Sequence, residues 1–168
     1  MTNPEIRVLL EVQEKLYEAP GILPVARGMS FFGEHAAGWL ALGAAGAVVD
    51  KRRRREWVAL GAAAFTSHAA SVVIKRVVRR TRPHDPRIRI GVGTPSRLSF
   101  PSSHSTSTTA ALLSLAYLSS TPLPLAGVPL MMASRMVLGV HYPTDVLGGA
   151  ALGAATAQVV RKIERRTA

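Results

Sequence analysis

The sequence predicts an all-α protein, a polytopic membrane helical bundle of about five transmembrane helices with an amphipathic N-terminal helix at the membrane interface. Hydrophobic residues make up 48% of the 168 residues and charged residues only 18%, which is low for a soluble protein. The charges are grouped in short blocks, and the long runs between them are apolar. Because cysteine is absent, disulfides, thiolate metal sites and thiol nucleophiles are excluded. We expect a single domain over residues 1–168.

The first twenty residues predict an amphipathic helix rather than a cleavable signal peptide. Acidic residues stand where a signal peptide carries basic ones, and no long apolar core follows them. The apolar positions of this segment are Ile6, Leu9, Leu10, Val12 and Leu16. Such a helix can lie in the membrane interface or pack against protein, and the sequence leaves both arrangements open.

Five apolar runs follow, each near the ~20 residues that a helix needs to span a bilayer. They cover residues 31–49, 57–74, 103–118, 123–140 and 144–160. Small residues four apart, Gly149 with Gly153 and Ala41 with Ala45, allow close helix approach in lipid. A soluble bundle of buried helices is the alternative, and it is disfavoured because these runs offer little polar face to water.

The net charge is +11, and the positions of the basic residues along the chain predict how the protein is oriented in the membrane. The basic blocks 50–56 and 161–166 fall on the same side of a five-span protein, which the positive-inside rule places in the cytoplasm. The N-terminal helix, the loop 76–101 and His141 would then face outward from the plasma membrane. That loop holds seven arginines, which conflicts with the rule unless some of them bind substrate. We expect Arg79, Arg80, Arg87 and Arg89 to be solvated or bound to lipid headgroups.

Three polar clusters interrupt the apolar pattern at the ends of runs that share one face of the membrane. They are KRVVRRTRP (75–83), PSSH (101–104) and SRMVLGVHYPTD (134–145). Antiparallel threading of the runs brings the three clusters to one level. The ionisable side chains that can meet there are Lys75, Arg82, His104, Arg135, His141 and Asp145.

The cations of these clusters suit a dianionic phosphate. Lys75, Arg82 and Arg135 supply positive charge, and the two guanidinium groups offer planar forks of donors to phosphate oxygens. A helix that begins at Ser102 and Ser103 adds free backbone N–H groups and the positive end of its dipole. The same arrangement stabilises the charge on a phosphoryl group during its transfer.

The remaining polar residues suit covalent catalysis. His141 and Asp145 stand four apart, so on a helix they share one face, and the carboxylate can hold the ring in one tautomer. Neutral His141 is then a good nucleophile, and His104 across the site can protonate the leaving oxygen. We predict phosphoester hydrolysis through a phosphohistidine. No metal and no cofactor is expected, because basic side chains supply the positive charge.

The three clusters together resemble the three-part signature of the type 2 phosphatidic acid phosphatases, which are membrane-embedded lipid phosphatases. The parts read Lys75-x6-Arg82-Pro83, Pro101-Ser102-Ser103-His104 and Ser134-Arg135-x5-His141-x3-Asp145. Glycine is usual in the family where Ser103 stands, and serine restricts the backbone there. Three ordered parts are a specific signal, whereas one alone would be weak. The resemblance implies His141 as the nucleophile, Asp145 as its orienting partner and His104 as the general acid, with Lys75, Arg82, Arg135, Ser102 and Ser103 on the phosphate.

A closer likeness concerns the substrate. The FGEH stretch (32–35) and the loop 84–104 resemble an actinobacterial branch of that family that dephosphorylates decaprenylphosphoryl-5-phosphoribose. That step supplies arabinose donors for cell-wall arabinan. The resemblance implies a polyprenyl-phosphate lipid as the substrate, with membrane lipids around it. No nucleic-acid partner is expected, because the basic residues are not spread over a polar face, and homo-oligomerisation is left open.

Other interpretations remain at this point. Runner-up substrates are polyprenyl diphosphates and lipids of the phosphatidic acid type. A non-catalytic protein that binds anionic lipids is the rival from another class, and it would not need His104, His141 and Asp145 at these spacings. The related vanadium-dependent haloperoxidases are soluble, which the apolar runs disfavour. The roles of Glu34 and His35 stay open, and His68 is expected to form hydrogen bonds between helices.

Overall fold

The computed structural model describes residues 3–167, and the regular structure in this range is helical. Its seven α-helices are α1 (Pro4–Leu16), α2 (Ile22–Gly33), α3 (Ala37–Val49), α4 (Arg54–Val78), α5 (Ser103–Ser119), α6 (Gly127–Val137) and α7 (Pro143–Arg166). Short 3-10 turns cover Glu34–Ala36, Lys51–Arg53 and Leu123–Ala126. The predicted all-α class is therefore confirmed.

Helix α5 lies in the centre of the bundle, in contact with α4, α6 and α7. It is buried although residues 105–109 are all serine or threonine. Most of these hydroxyls find acceptors nearby: Thr106 Oγ1 donates to Ser102 O at 2.8 Å, and Ser107 Oγ donates to Ser103 O at 3.1 Å. Because the hydroxyls of Ser105, Thr106 and Ser107 donate to neighbours in the same segment and that of Thr108 accepts from Trp39, a largely polar sequence can occupy the core.

Glycines bring α7 against α5. A Cβ atom on Gly149 would lie 2.6 Å from Ser102 O, and one on Gly153 would lie 2.2 Å from Thr106 O. This pair of small residues therefore allows the close approach that its spacing predicts. The second predicted pair was wrong, because Ala41 and Ala45 are exposed.

On α3 the close contact with α4 is made by a different face. A Cβ atom on Gly43 would lie 3.0 Å from Trp57 O, and one on Gly46 would lie 2.1 Å from Trp57 Cδ2. Small residues line several faces of α3, so their spacing alone could not select the packed one. The tertiary contact with Trp57 decides it.

The first apolar run, 31–49, is not one helix. Helix α2 ends at Gly33 and α3 begins at Ala37, with His35 at φ 50° and Ala36 at φ 60° between them. The prediction of a single run was wrong because these left-handed residues carry no sequence signal, and α2 itself was not predicted. The second, third and fifth runs fall within α4, α5 and α7, and α6 ends at Val137, short of residue 140.

The outer surface of the bundle is apolar. Phe31 on α2, Val49 on α3, and Phe65 and Val77 on α4 are exposed, as expected of side chains that contact lipid. Among residues 3–167, the segment Lys51–Val78 is the one long and apolar enough to cross a bilayer by itself, and the apolar segment Leu123–Val137 is shorter. The number of about five spans stays a prediction.

Helix α1 packs against its own chain. Leu9 is fully buried with Ile88 and Tyr142. The side chain of Gln13 donates to Arg89 O at 2.7 Å and to Val137 O at 2.8 Å, and accepts from Arg89 N at 2.9 Å. One face of this amphipathic helix is thus used for packing on the loop after α4 and on the end of α6.

The long connection between α4 and α5 folds back on itself. Ser99 N donates to Arg80 O at 2.8 Å, and Arg82 N donates to Arg97 O at 3.1 Å. Gly91 N reaches Leu138 O at 3.0 Å, which fixes the loop to the end of α6. These contacts place Arg82 beside the junction of α6 and α7, which carries His141.

Candidate active site

The three polar clusters meet around a cavity of about 200 Å³. Five of the eight predicted site residues line it: Lys75, Arg82, Ser103, His104 and His141. The other three, Ser102, Arg135 and Asp145, are buried outside the lining. Larger grooves of about 330 and 460 Å³ lie where the start of α4 meets the end of α7, and they contain none of the predicted residues.

His141 lies in the short segment between α6 and α7 and is 1% exposed. Its Nε2 atom is 3.1 Å from Nη1 of Arg82. A guanidinium group can only donate, so Nε2 accepts and the ring proton is on Nδ1. Burial lowers the pKa of His141 well below its usual value, and the charge of Arg82 lowers it further. The ring is therefore neutral at pH 7, as a nucleophile must be.

Asp145 faces His141 from the first turn of α7. Its Oδ2 atom accepts from Tyr142 N at 2.8 Å, which caps the helix, and lies 3.6 Å from His141 Nδ1. That distance is too long for a hydrogen bond, and Nδ1 has no other partner among the described residues. The structure thus brings His141 and Asp145 together, as predicted, and a small rotation of the imidazole ring would bring the two atoms within hydrogen-bond distance.

Arg80 belongs to this group, which the sequence did not predict. Its Nη1 atom donates to Asp145 Oδ1 at 3.0 Å and to Thr144 Oγ1 at 2.6 Å, and its guanidinium also pairs with Glu5 on α1. The Cζ atom of Arg80 lies 4.1 Å from the centroid of the Tyr142 ring, which is a cation–π contact. The expectation of a solvated or lipid-bound arginine was wrong, because the loop folds back onto α7. No spacing rule distinguishes Arg80 from its neighbouring arginines.

Backbone carbonyl groups hold two of the predicted phosphate ligands. Lys75 Nζ donates to Ser99 O at 2.9 Å and to Pro101 O at 2.6 Å. Arg82 donates through Nε to Ser96 O at 2.8 Å and through Nη1 to Val140 O at 2.7 Å. Burial lowers the pKa of Arg82 to about 10, so it stays charged at neutral pH.

Arg135 is the third cation and is 1% exposed. Its Nη1 atom donates to Ser30 Oγ at 2.7 Å, while its Nε atom has no hydrogen-bond partner in the part of the chain that the structure describes. Within the described residues, no carboxylate forms a salt bridge with Lys75, Arg82 or Arg135. Three buried positive charges without a paired acid favour the binding of an anion.

His104 lies on the first turn of α5, and its Nε2 atom is 2.9 Å from Ser30 O. A carbonyl oxygen only accepts, so Nε2 carries a proton and Nδ1 is the nitrogen left for proton transfer. Ser30 thus touches both His104 and Arg135, and the sequence offered no signal for it. Glu34 Oε2 lies 3.7 Å from the same Nε2 atom.

The serines at the start of α5 play unequal parts. Ser102 is the N-cap, with its Oγ accepting from Ser105 N at 3.4 Å and its N–H donating to Asp145 O at 2.9 Å. Both polar groups of Ser102 are therefore used within the fold. Ser103 lines the cavity, and its hydroxyl accepts from Ser71 Oγ at 2.8 Å. The amides of Ser103 and His104 begin the helix and are the ones suited to phosphate.

His68 also lines the cavity, beside Glu34 and His35. Its ring is 5.9 Å from the ring of His35, and its Nδ1 atom is buried with no hydrogen-bond partner. The expectation that His68 links helices was wrong. The ring instead lines the cavity beside that of His35.

Comparison with known proteins identifies the family. A sequence model of the PAP2 superfamily matches residues 56–167, which include all three polar clusters. The chain belongs to the PAP2 superfamily. This PAP2 protein is 60% identical over 145 residues to the decaprenylphosphoryl-5-phosphoribose phosphatase of Mycolicibacterium smegmatis, covering 86% of this chain and 81% of that protein. It is 53% identical over 159 residues to the protein of the same name from Mycobacterium tuberculosis, covering 95% and 90%.

Two crystal structures share the fold of this PAP2 protein. One is the PAP2-type phosphatidylglycerolphosphate phosphatase of Bacillus subtilis, with a TM-score of 0.74 and 22% identity over 98% of this chain and 88% of that one. The other is Aquifex aeolicus LpxE, with a TM-score of 0.76 and 17% identity over 96% of each chain. The family and the named relatives indicate that this PAP2 protein is a membrane protein and a phosphoric monoester hydrolase. The predicted membership of the type 2 phosphatidic acid phosphatase family is therefore confirmed.

Proposed function

We propose that this protein is an integral membrane phosphatase that removes the 5-phosphate of decaprenylphosphoryl-5-phosphoribose. The product, decaprenylphosphoryl ribose, would serve the synthesis of arabinan precursors for the cell wall. The observation that carries the proposal is a cavity in which buried cations surround neutral His141. Relatives that are 53–60% identical and bear that substrate in their names support the choice of lipid.

The first chemical step forms a phosphohistidine. Nε2 of His141 attacks phosphorus, the bond from phosphorus to the ribose O5 atom breaks, and O5 takes a proton from Nδ1 of His104, which would acquire that proton from solvent when the phosphate dianion binds. Arg82 now donates to Nε2, and a bound phosphate would take over that guanidinium and free the lone pair. Asp145 would accept from Nδ1–H as positive charge develops on the ring.

The second step returns the enzyme to its starting state. Water attacks phosphorus and gives a proton to His104, while the bond from phosphorus to Nε2 breaks and inorganic phosphate leaves. Lys75, Arg82 and Arg135 would hold the non-bridging oxygens through both steps, with the amides at the start of α5. No additional reactant is needed, because the proton lost by His104 in the first step returns in the second.

The site would face outward from the plasma membrane in a multi-pass arrangement. The basic stretch around Lys51–Arg53 and the end of α7 lie at the opposite end of α4 and α7 from Lys75 and Asp145. The positive-inside rule assigns that basic end to the cytoplasm. The polyprenyl tail would stay in the bilayer against the exposed apolar surface, while the phosphate enters the cavity.

Phosphate release by the detergent-purified protein tests this function. The substrates are a short-chain polyprenylphosphoryl-5-phosphoribose, a polyprenyl diphosphate and a phosphatidic acid, with His141→Asn as the blank. We expect the phosphoribose lipid to be preferred and the variant to release no phosphate while its helical content is unchanged. Preference for the diphosphate or for phosphatidic acid would overturn the assigned substrate. Activity retained by His141→Asn would overturn the mechanism, and a wild type that binds all three lipids without turnover would indicate a non-catalytic lipid-binding protein.

A further inference from the structure

The cavity has two chemically different ends. The cations and His141 form one end. Glu34, His35 and His68 form the other, together with the apolar side chain of Val72. The phosphate chemistry proposed above uses none of these four residues.

His104 indicates which side of the phosphate the second end occupies. A group that protonates the leaving oxygen must stand on the leaving-group side, opposite the attacking His141, because the attacking and leaving atoms lie in line. Glu34 Oε2 is 3.7 Å from His104 Nε2, and Glu34 Oε1 is 3.4 Å from His35 Nδ1. The ring of His68 lies next to that of His35. The second end therefore adjoins the ring of His104 on its Nε2 side, while the proton passes from Nδ1 of the same ring.

A carboxylate is out of place in a site that only has to bind phosphate. Glu34 repels a dianion, but its two oxygens are good acceptors for hydroxyl groups, and acidic residues hold ribose hydroxyls in this way in dinucleotide sites. The Nδ1 atom of His68 is buried and has no hydrogen-bond partner among residues 3–167. Buried polar atoms are rarely left unpaired, so this atom points to a polar ligand.

The backbone holds this end in a defined shape. His35 and Ala36 have φ of 50° and 60°, a left-handed conformation that is costly for residues other than glycine. Gly33 packs directly on the imidazole of the general acid, since a Cβ atom there would lie 2.7 Å from His104 Cδ2. Strained residues of this kind cluster at ligand sites, where the surrounding structure keeps them in place.

We propose that Glu34, His35 and His68 form a subsite for the hydroxyl groups of the leaving group. The site then selects a phosphorylated sugar over a phosphate ester of an apolar alcohol. This inference rests on the proposed function, since it places the ribose of the same substrate beside His104. A leaving group without hydroxyls would leave the buried Nδ1 atom of His68 unpaired, and sites built to bind hydroxyls reject such analogues strongly.

The test compares kcat/KM for three substrates in detergent: a short-chain prenylphosphoryl-5-phosphoribose, its 2,3-dideoxyribose analogue and a short-chain phosphatidic acid. We expect the wild type to prefer the ribose lipid over the dideoxy lipid by about tenfold to hundredfold, the effect of one hydrogen bond to a charged group. Glu34→Leu should abolish that preference, by lowering kcat/KM on the ribose lipid to the value on the dideoxy lipid. His68→Phe, which keeps a ring without nitrogen, should reduce the same preference. Glu14→Leu on the exposed face of α1 is the matched control and should change nothing.

The outcomes separate this inference from the function on which it rests. A wild type that hydrolyses the ribose and dideoxy lipids equally well would overturn the subsite and leave the proposed function standing. Equal losses on all three substrates in Glu34→Leu would overturn the subsite too, because Glu34 would then act only by positioning His104. A wild type that prefers phosphatidic acid, or that releases no phosphate from either sugar lipid, would overturn both.

Discussion

Arg80 donates a hydrogen bond to the carboxylate of Asp145 across 3.0 Å, and on its other side it pairs with Glu5 of the N-terminal helix. Asp145 in turn faces the ring of His141. Helix α1 is thereby linked to His141, the proposed nucleophile, through the ion pairs Glu5–Arg80 and Arg80–Asp145. Arg80 is a positioning residue in this arrangement, since it reaches the chemistry only through Asp145.

The first prediction concerns that link. Arg80→Gln and Glu5→Gln should lower kcat by roughly tenfold to a hundredfold with little change in KM, the range measured for partners that orient metal-bound histidines. The reason is that Arg80→Gln removes the donor that fixes Asp145 Oδ1, and Glu5→Gln weakens the ion pair that holds Arg80 in place. Steady-state phosphate release measures both constants. Arg79→Gln, an exposed neighbour, is the control, and a rise in KM alone would show that Arg80 binds substrate instead.

The second prediction concerns pH and stability. The folded-state pKa of His141 lies well below that of the unfolded chain, which is about 6.5, so between these values the unfolded chain binds more protons. Stability should therefore fall as the pH drops below about 6.5. The melting temperature in detergent should decline less steeply in His141→Asn, because that variant lacks the buried ring. Parallel curves for the two proteins from pH 7 to pH 5 would contradict this account.

The third prediction concerns the contact between α5 and α7. Gly153→Ala should destabilise the protein by roughly 1–3 kcal/mol, because the added methyl group would meet Thr106 O at 2.2 Å and overpack the interface. Gly61→Ala is the matched change on α4, where the nearest atom to a new Cβ is 3.9 Å away. It should be neutral or stabilising by up to about 1 kcal/mol. Thermal unfolding of both variants in detergent measures these changes in stability. Equal changes in the two variants would contradict close packing of α7 on α5 at Gly153.

The fourth prediction concerns metal removal. Within residues 3–167 no three His, Asp or Glu side chains come together as ligands for an ion, and in the proposed mechanism the cations around His141 supply the positive charge to the phosphate. Phosphate release should therefore be unchanged after dialysis against EDTA. Added Mg²⁺ should not raise kcat. Loss of activity in EDTA that a divalent ion restores would show that the cations alone do not complete the site.

The pattern of residues predicted much of this protein because helix formation and amphipathicity are local properties. The apolar runs within α4, α5 and α7 and the glycine pair on α7 follow from neighbours in sequence. The polar clusters stand at the ends of those runs, so antiparallel threading already predicts that His104 and His141 lie close together. Lys75 and Arg82 reach the same cavity for the same reason.

The tertiary structure decided what depends on contacts between distant segments. Arg80 resembles every other arginine of its loop until the loop folds back and places it beside Asp145, 65 residues further along the chain. Ser30 touches His104 only because α2 packs near α5, and Glu34 faces the same ring only because two left-handed residues turn the chain between α2 and α3. Hydrogen bonds and ion pairs act over a few ångströms in space, whatever the separation in sequence. A periodic pattern therefore determines helices and their apolar faces, whereas the partners of each polar side chain are determined by packing.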